Sequence, residues 1–313
     1  MKVITSILLF GLFSSICAWS QNGKLLEKKA LEFSDSTTAQ LIEALPEFET
    51  IKFSKLTYLS DGLKVTAYLA EPKAEGQYPC IIANRGGNRD FGQWNPISVG
   101  FFLGKMASWG YVVVASQYRG NDGGEGVEQF GGDDVNDVIN LLPLLVQIPA
   151  ADTSRIGLEG GSRGGMMAYQ TLRESCRFKA AAVLAGVTNS FTSIADRPEM
   201  EKYVYAELVP DYPNNKEQEL QKRSAVFWAD EICKTTPLLI MHGSADWRVS
   251  ALQSMELVQK LYAYRHPVRF ILFEGADHGI REFRKDMFHE LRRHFDYYVR
   301  DGNPLPNMEP HGR

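Results

Sequence analysis

The strongest constraint on this chain is a rhythm that begins at residue 80 and runs to residue 300. Short apolar runs rich in small and β-branched residues alternate with stretches of helical spacing. The run 80–84 precedes a helix expected over 98–109 and stopped by Gly110. The run 111–116 precedes a helix starting at Asp133-Asp134, with Val135, Val138, Ile139 and Leu142 on one face. The run 155–159 leads to a helix opening at Gly165, and 181–185 follows. The run 238–241 precedes a helix carrying Ala251, Met255, Val258 and Tyr262, and 268–273 precedes a last helix with Phe288, Leu291 and Phe295. Strands that are apolar on both faces and separated by helices imply a mostly parallel sheet covered on both sides, an α/β fold. Ahead of it, 55–60 and 63–69 flank Asp61-Gly62 with alternating polarity, which predicts a half-buried antiparallel hairpin.

This organisation divides the 313 residues into four parts. Lys2, an apolar run over 3–13 and the small-residue end Ala18-Trp19-Ser20 read as a secretory signal, 1–20, too short to span a bilayer that needs about 20 apolar residues. The protein is therefore expected to be exported, periplasmic or secreted, with no permanent membrane span. A lipoprotein cut before Cys17 is disfavoured because Ile16 stands where a small residue is needed. Residues 21–54 read as one or two helices against the main body, and 55–300 as the catalytic domain. Within that domain 187–236 shows no strand and is expected to form a cap, while 301–313, with three prolines, is an exposed tail. Past the signal three cysteines remain; an odd number cannot all pair, Cys80 sits in an apolar run, and Cys176 with Cys233 is the pair to test.

A net charge of −4 without a long basic run leaves no footprint for a nucleic-acid backbone. His289-Glu290 and His294 approximate a metalloprotease helix, but the extra residue turns the imidazoles roughly 140° apart, so no metal is expected. Ligands of open α/β sheets bind at the carboxyl ends of strands, which directs attention to the residues just past each run. Gly160-Gly161-Ser162-Arg163-Gly164-Gly165 is a Gly-x-Ser-x-Gly elbow between a strand and a helix, the context that makes Ser162 a nucleophile. A serine needs a base, and His278 follows the run 268–273; Asp246, after 238–241, would orient it. The order Ser162, Asp246, His278 is that of an α/β hydrolase. His242 is expected to brace the Asp246 loop, Asp277 to point away from His278, and Ser250 to cap the helix at Ala251. The Arg163 amide and a donor from the Arg85-Gly86-Gly87 turn would form an oxyanion hole. Trp94, Phe130 and Trp247 are candidate walls of a substrate pocket, and Arg119 is expected to anchor a buried ion pair, with Glu125, Asp133 and Asp134 downstream of it.

Several motifs in order resemble the catalytic domain of the prolyl oligopeptidase family of serine peptidases, over roughly residues 55–300. They are Asp61-Gly62-Leu63-Lys64, Gln117-Tyr118-Arg119-Gly120, the elbow, His242-Gly243-Ser244-Ala245-Asp246, and Asp277-His278-Gly279. The resemblance implies Ser162, Asp246 and His278 as the triad, with the Arg163 amide in the oxyanion hole and no cofactor. The sequence departs from the family in three ways. Arg163 replaces the usual tyrosine after the nucleophile and puts a cation near the site. Arg85 stands where tyrosine or histidine is usual, so that Arg85 or the Gly87 amide must supply the second donor. Only about 30 residues lie between the signal and the hairpin, where many members carry a propeller. The expected activity is that of an exported serine hydrolase cleaving a peptide through an acyl-enzyme. A carboxylesterase acting on an ester such as acylated carbohydrate is the runner-up, and a catalytically dead binding protein the third reading.

Overall fold

The computed structural model describes residues 21–312; the signal-like segment 1–20, with Cys17, and Arg313 lie outside them. Nine strands form one sheet: β1 Leu25–Ala30, β2 Ile51–Ser60, β3 Leu63–Pro72, β4 Tyr78–Asn84, β5 Val112–Ser116, β6 Ala151–Gly161, β7 Ala180–Leu184, β8 Leu238–Gly243 and β9 Val268–Phe273. Their spatial order is β1-β2-β3-β5-β4-β6-β7-β8-β9. Pairing is antiparallel from β1 to the β3–β5 seam and parallel beyond it. The expected α/β hydrolase architecture with an antiparallel N-terminal hairpin is therefore observed.

Alternate residues of the inner strands feed two apolar layers. Ile82, Val114 and Leu158 point to one, with Val138, Leu172 and Leu257 from covering helices; Ile81, Val113 and Met241 point to the other, with Leu103, Met106, Leu291 and Phe295. Helices used below are α1 Asp35–Ala44, α2 Arg163–Glu174, α3 Tyr212–Lys222, α4 Ala251–Ala263 and α5 Arg284–Phe295. The expected helix after β4 runs from Pro96 to Ser108 and widens into a π turn at Val99–Leu103.

Two expectations change. The segment 21–54 contributes edge strand β1 as well as helix α1, because β2 has a free edge whose backbone groups need partners. The hairpin is half-buried only in β2. In β3 both faces are covered, Thr66 and Tyr68 included, because this strand lies inside the sheet between β2 and β5. The Tyr68 hydroxyl is accommodated by donating to Asp122 Oδ2 at 2.7 Å, and that of Thr66 by donating to the Asp122 carbonyl at 3.1 Å.

Among residues 187–236 there is no strand, as expected. Val204, Tyr205, Leu208 and Tyr212 from this insertion pack on Phe130, Met166 and Val249 as a third apolar cluster. Cys176 and Cys233 form a disulfide that spans 57 positions, and Cys80 is a buried free thiol, which burial pushes up to about 12. Closing a loop of that length stabilises a fold by roughly 4 kcal/mol through the unfolded chain. Reduction, or Cys176→Ala with Cys233→Ala, should accordingly lower the midpoint of thermal unfolding. An unchanged midpoint with and without reductant would count against the bond.

Candidate active site

The elbow forms because β6 must pass directly into α2 with almost no connecting chain. Ser162 takes φ 57° and ψ −122°, a strained conformation for a residue with a side chain. It is held by Ser162 N–H donating to the Leu184 carbonyl at 2.9 Å and by Gly165 N–H donating to the Ser162 carbonyl at 3.0 Å. The crossing is possible only with glycines: a Cβ on Gly160 would lie 2.1 Å from the Gly164 oxygen, and one on Gly164 the same distance from the Asn84 oxygen. Helix α2 starts at Arg163 rather than Gly165, so the Arg163 N–H is a first-turn donor without an intrahelical partner.

Asp246 lies on the loop after β8 with its side chain fully buried. Its Oδ1 accepts the N–H groups of Arg248 (2.8 Å) and Val249 (3.1 Å); its Oδ2 faces His278 Nδ1 at 2.6 Å and His242 Nε2 at 3.1 Å. His242 Nε2 also faces the Val249 carbonyl at 2.9 Å, which can only accept, so this nitrogen carries the proton and Nδ1 accepts from Ser254 Oγ at 2.8 Å. The expected brace is thus observed, and it also donates to the acid itself. Burial would raise the Asp246 carboxyl, but the hydrogen bonds from His242 and His278 outweigh it and hold the group well below the usual carboxylate range. A carboxylate at that position keeps the proton of neutral His278 on Nδ1 and leaves the Nε2 lone pair free. Asp277 turns away, as expected, to Arg281 Nε at 2.6 Å, and Ser250 caps α4 by accepting from Leu252 N–H at 3.3 Å.

Ser162 and His278 open on one cavity of about 600 Å³, whose wall also includes Trp94 and Trp247. Trp94 is fixed there by reciprocal bonds with Gln117, its N–H donating to Oε1 at 2.9 Å and its carbonyl accepting from Nε2 at 2.8 Å. Trp247 is largely exposed at the rim, stacked with Arg197 and Arg248. Gly86 closes the opposite side, since a Cβ there would lie 3.2 Å from Ser162 Cβ. The Gly87 N–H donates to no described residue. A second hollow of about 750 Å³, beside Phe33, Phe48 and Phe53, holds none of these groups.

Three candidate residues are placed differently from expectation. Phe130 does not line the cavity; it is buried against Tyr205 and over the Arg163 guanidinium, 4.8 Å from ring centre to Cζ. The Arg163 side chain brings no free cation to the site. It is buried, with Nη1 2.6 Å from Glu128 and Nη2 2.5 Å from Asp134, and these carboxylates raise it despite its burial. Arg85 is no oxyanion donor through its guanidinium, which donates to the carbonyls of Gln117 (3.1 Å), Gly86 (3.3 Å), Arg89 (3.3 Å) and Phe91 (3.4 Å) and lies 3.6 Å from Glu128. Burial first, and then Arg163, brings Arg85 down to about 10. Both guanidinium groups stack on the Tyr118 ring. A buried group of two cations and two anions therefore lies under the glycine turn and the start of α2. Nothing in the local period of the sequence indicated it. Arg119 does anchor a buried pair, but with Asp137 and Asp61, both at 2.8 Å, in place of Glu125, Asp133 or Asp134. Among the described residues no three His, Cys, Asp or Glu side chains are grouped to hold a metal.

Comparison with known proteins fits this geometry. The profile of the prolyl oligopeptidase family matches residues 100–303. The chain is 34% identical over 229 residues to the uncharacterized peptidase YtmA of Bacillus subtilis, covering 73% of this chain and 86% of that one. It is 23% identical to the acylamino-acid-releasing enzyme of Rattus norvegicus over 76% of its own length but 33% of that protein's. The solved Pyrococcus horikoshii acylaminoacyl peptidase superposes with a TM-score of 0.69 at 25% identity, over 87% of this chain and 45% of that one. The chain thus spans a third to under half of these two larger relatives. No helix among the described residues is long and apolar enough to cross a membrane. On the matched profile, the identity to YtmA and the shared sheet, the chain belongs to the prolyl oligopeptidase family, serine peptidases built on the α/β hydrolase fold.

Proposed function

We propose that this protein is an exported serine peptidase that works through an acyl-enzyme on Ser162. The observation that carries the reading is the 2.6 Å contact of His278 Nδ1 with a buried, ionised Asp246, in a cavity shared with Ser162. In the first half, His278 Nε2 takes the Ser162 proton as Oγ attacks the scissile carbonyl, and Asp246 stabilises the imidazolium. The developing oxyanion is received by the amides of Arg163 and Gly87. His278 then gives its proton to the leaving amine, and in the second half it activates water against the acyl-enzyme. The Arg85 side chain supports this arrangement from outside it, bonding the carbonyls that hold the turn. Export is supported by the signal-like residues 1–20 together with the Cys176–Cys233 bond, since disulfides persist in oxidising compartments.

The test is a substrate panel offered to the purified protein: aminoacyl, prolyl and N-acylaminoacyl p-nitroanilides beside p-nitrophenyl esters of matched acyl groups. Release of nitroaniline is expected, with the ester of the same acyl group also turned over. Turnover of esters alone would replace the peptidase reading with a carboxylesterase, and inertness toward every substrate would favour a binding protein.

A further inference from the structure

Glu159 stands three positions ahead of Ser162 on β6, and the mechanism above leaves it unused. Ile156 and Leu158 enter one apolar layer, whereas Gly157 meets Phe295 and Val299 of the other. By the same two-residue period Glu159 projects into that second layer, where Met106, Met287, Phe288 and Leu291 share the cavity wall with it. Among the described residues its carboxyl forms no hydrogen bond and no ion pair, yet its oxygens are not sealed off but open on the cavity. A bare carboxyl in an apolar wall is costly to the fold, and burial alone pushes it up to about 8. Beside it, Asn84 Nδ2 donates to the Glu159 carbonyl at 3.0 Å, which leaves Asn84 Oδ1 buried without a donor. A cavity wall that sets an unpartnered carboxyl among Met106, Met287, Phe288 and Leu291 matches a chain with an apolar stem and a donor-rich tip.

We propose that Glu159 is a specificity-determining residue that receives the cationic tip, ammonium or guanidinium, of a lysine- or arginine-like side chain next to the scissile bond. This deepens the peptidase reading and rests on it for the bond cut, though not for the binding. The other ionisable groups on the cavity wall are already engaged. Arg85 is held by carbonyls, His278 by Asp246, and Asp277 by Arg281; Arg248 lies over Trp247 and Arg284 over Phe101. None of them contributes to the state of Glu159, whose one cause of displacement is burial.

The experiment measures binding without turnover, by calorimetric titration of Nα-acetyl-lysine amide and Nα-acetyl-norleucine amide into the Ser162→Ala protein. The lysine amide should bind about tenfold or more tightly than its apolar counterpart, and adding Glu159→Gln should erase that preference. Because a cation pairs with the ionised carboxylate, its binding must expel the Glu159 proton. Affinity for the lysine amide should then fall about tenfold per pH unit below about 8, while that for norleucine amide stays level. Equal affinities, no binding of either amide, or a preference that survives Glu159→Gln would overturn the proposal, with circular dichroism establishing that each variant is folded. Fluorophosphonate labelling of the unmutated protein reports separately on the catalytic reading, so that the two can fail independently.

Discussion

Ser162→Ala is expected to abolish labelling by a fluorophosphonate probe and to lower turnover by a factor of about 10⁴ or more, while the protein stays folded. The size follows from what is lost, since Ser162 is the residue that the elbow holds beside Gly86 on the wall of the cavity it shares with His278. Asp246→Asn should approach the same loss by a different route. The amide would still fill its place among the Arg248 and Val249 N–H groups, but it could no longer keep the His278 proton on Nδ1. Gel fluorescence with the probe and initial rates on the preferred p-nitroanilide check both variants. Persistent labelling of Ser162→Ala would overturn the assignment of the nucleophile.

The second large effect concerns stability. Asp134→Ala removes one of the two carboxylates facing Arg163 and leaves a buried guanidinium short of its counter-charge. Losses of this kind amount to about 3–5 kcal/mol, or a fall of about 10 °C in the unfolding midpoint for a domain of this size. Burial decides the sign of the comparison, because Arg163 and Asp134 are both out of contact with water, whereas Arg89 and Glu207 form an exposed pair whose loss should cost less than about 1 kcal/mol. Thermal melts of Asp134→Ala and Glu207→Ala side by side test the argument. Equal midpoints would show that the group beneath the turn does not hold the site in place.

The elements that were legible in the sequence are those fixed by local chemistry. The elbow could be read because glycine is forced at 160 and 164 by the approach of one backbone to another, and the strand runs because both faces of an inner strand must be apolar. Asp246 and His278 could be found because each follows such a run. What the sequence did not reveal depends on partners distant along the chain. Phe130 looked like a pocket aromatic until Arg163 and Tyr205 were seen to claim its ring, and the Arg163 charge looked free until Glu128 and Asp134 closed on it. Strand β1 has the polar composition of an exposed edge, which carries little periodic signal. Glu159 did leave a trace, one acid between Leu158 and the glycines of an otherwise apolar stretch, whose meaning appears only when the cavity beside it is known.

The bond between Cys176 and Cys233 ties the chain just after α2 to the chain shortly before β8, and so draws β7 and residues 187–233 of the insertion into one covalent ring. The insertion starts beside the elbow, where Val187 N–H donates to the Ser162 carbonyl at 3.3 Å, and near its other end Cys233 is moored to the chain just past α2, at the end of that helix remote from Ser162. Severed anywhere inside that ring, it would still remain on the molecule.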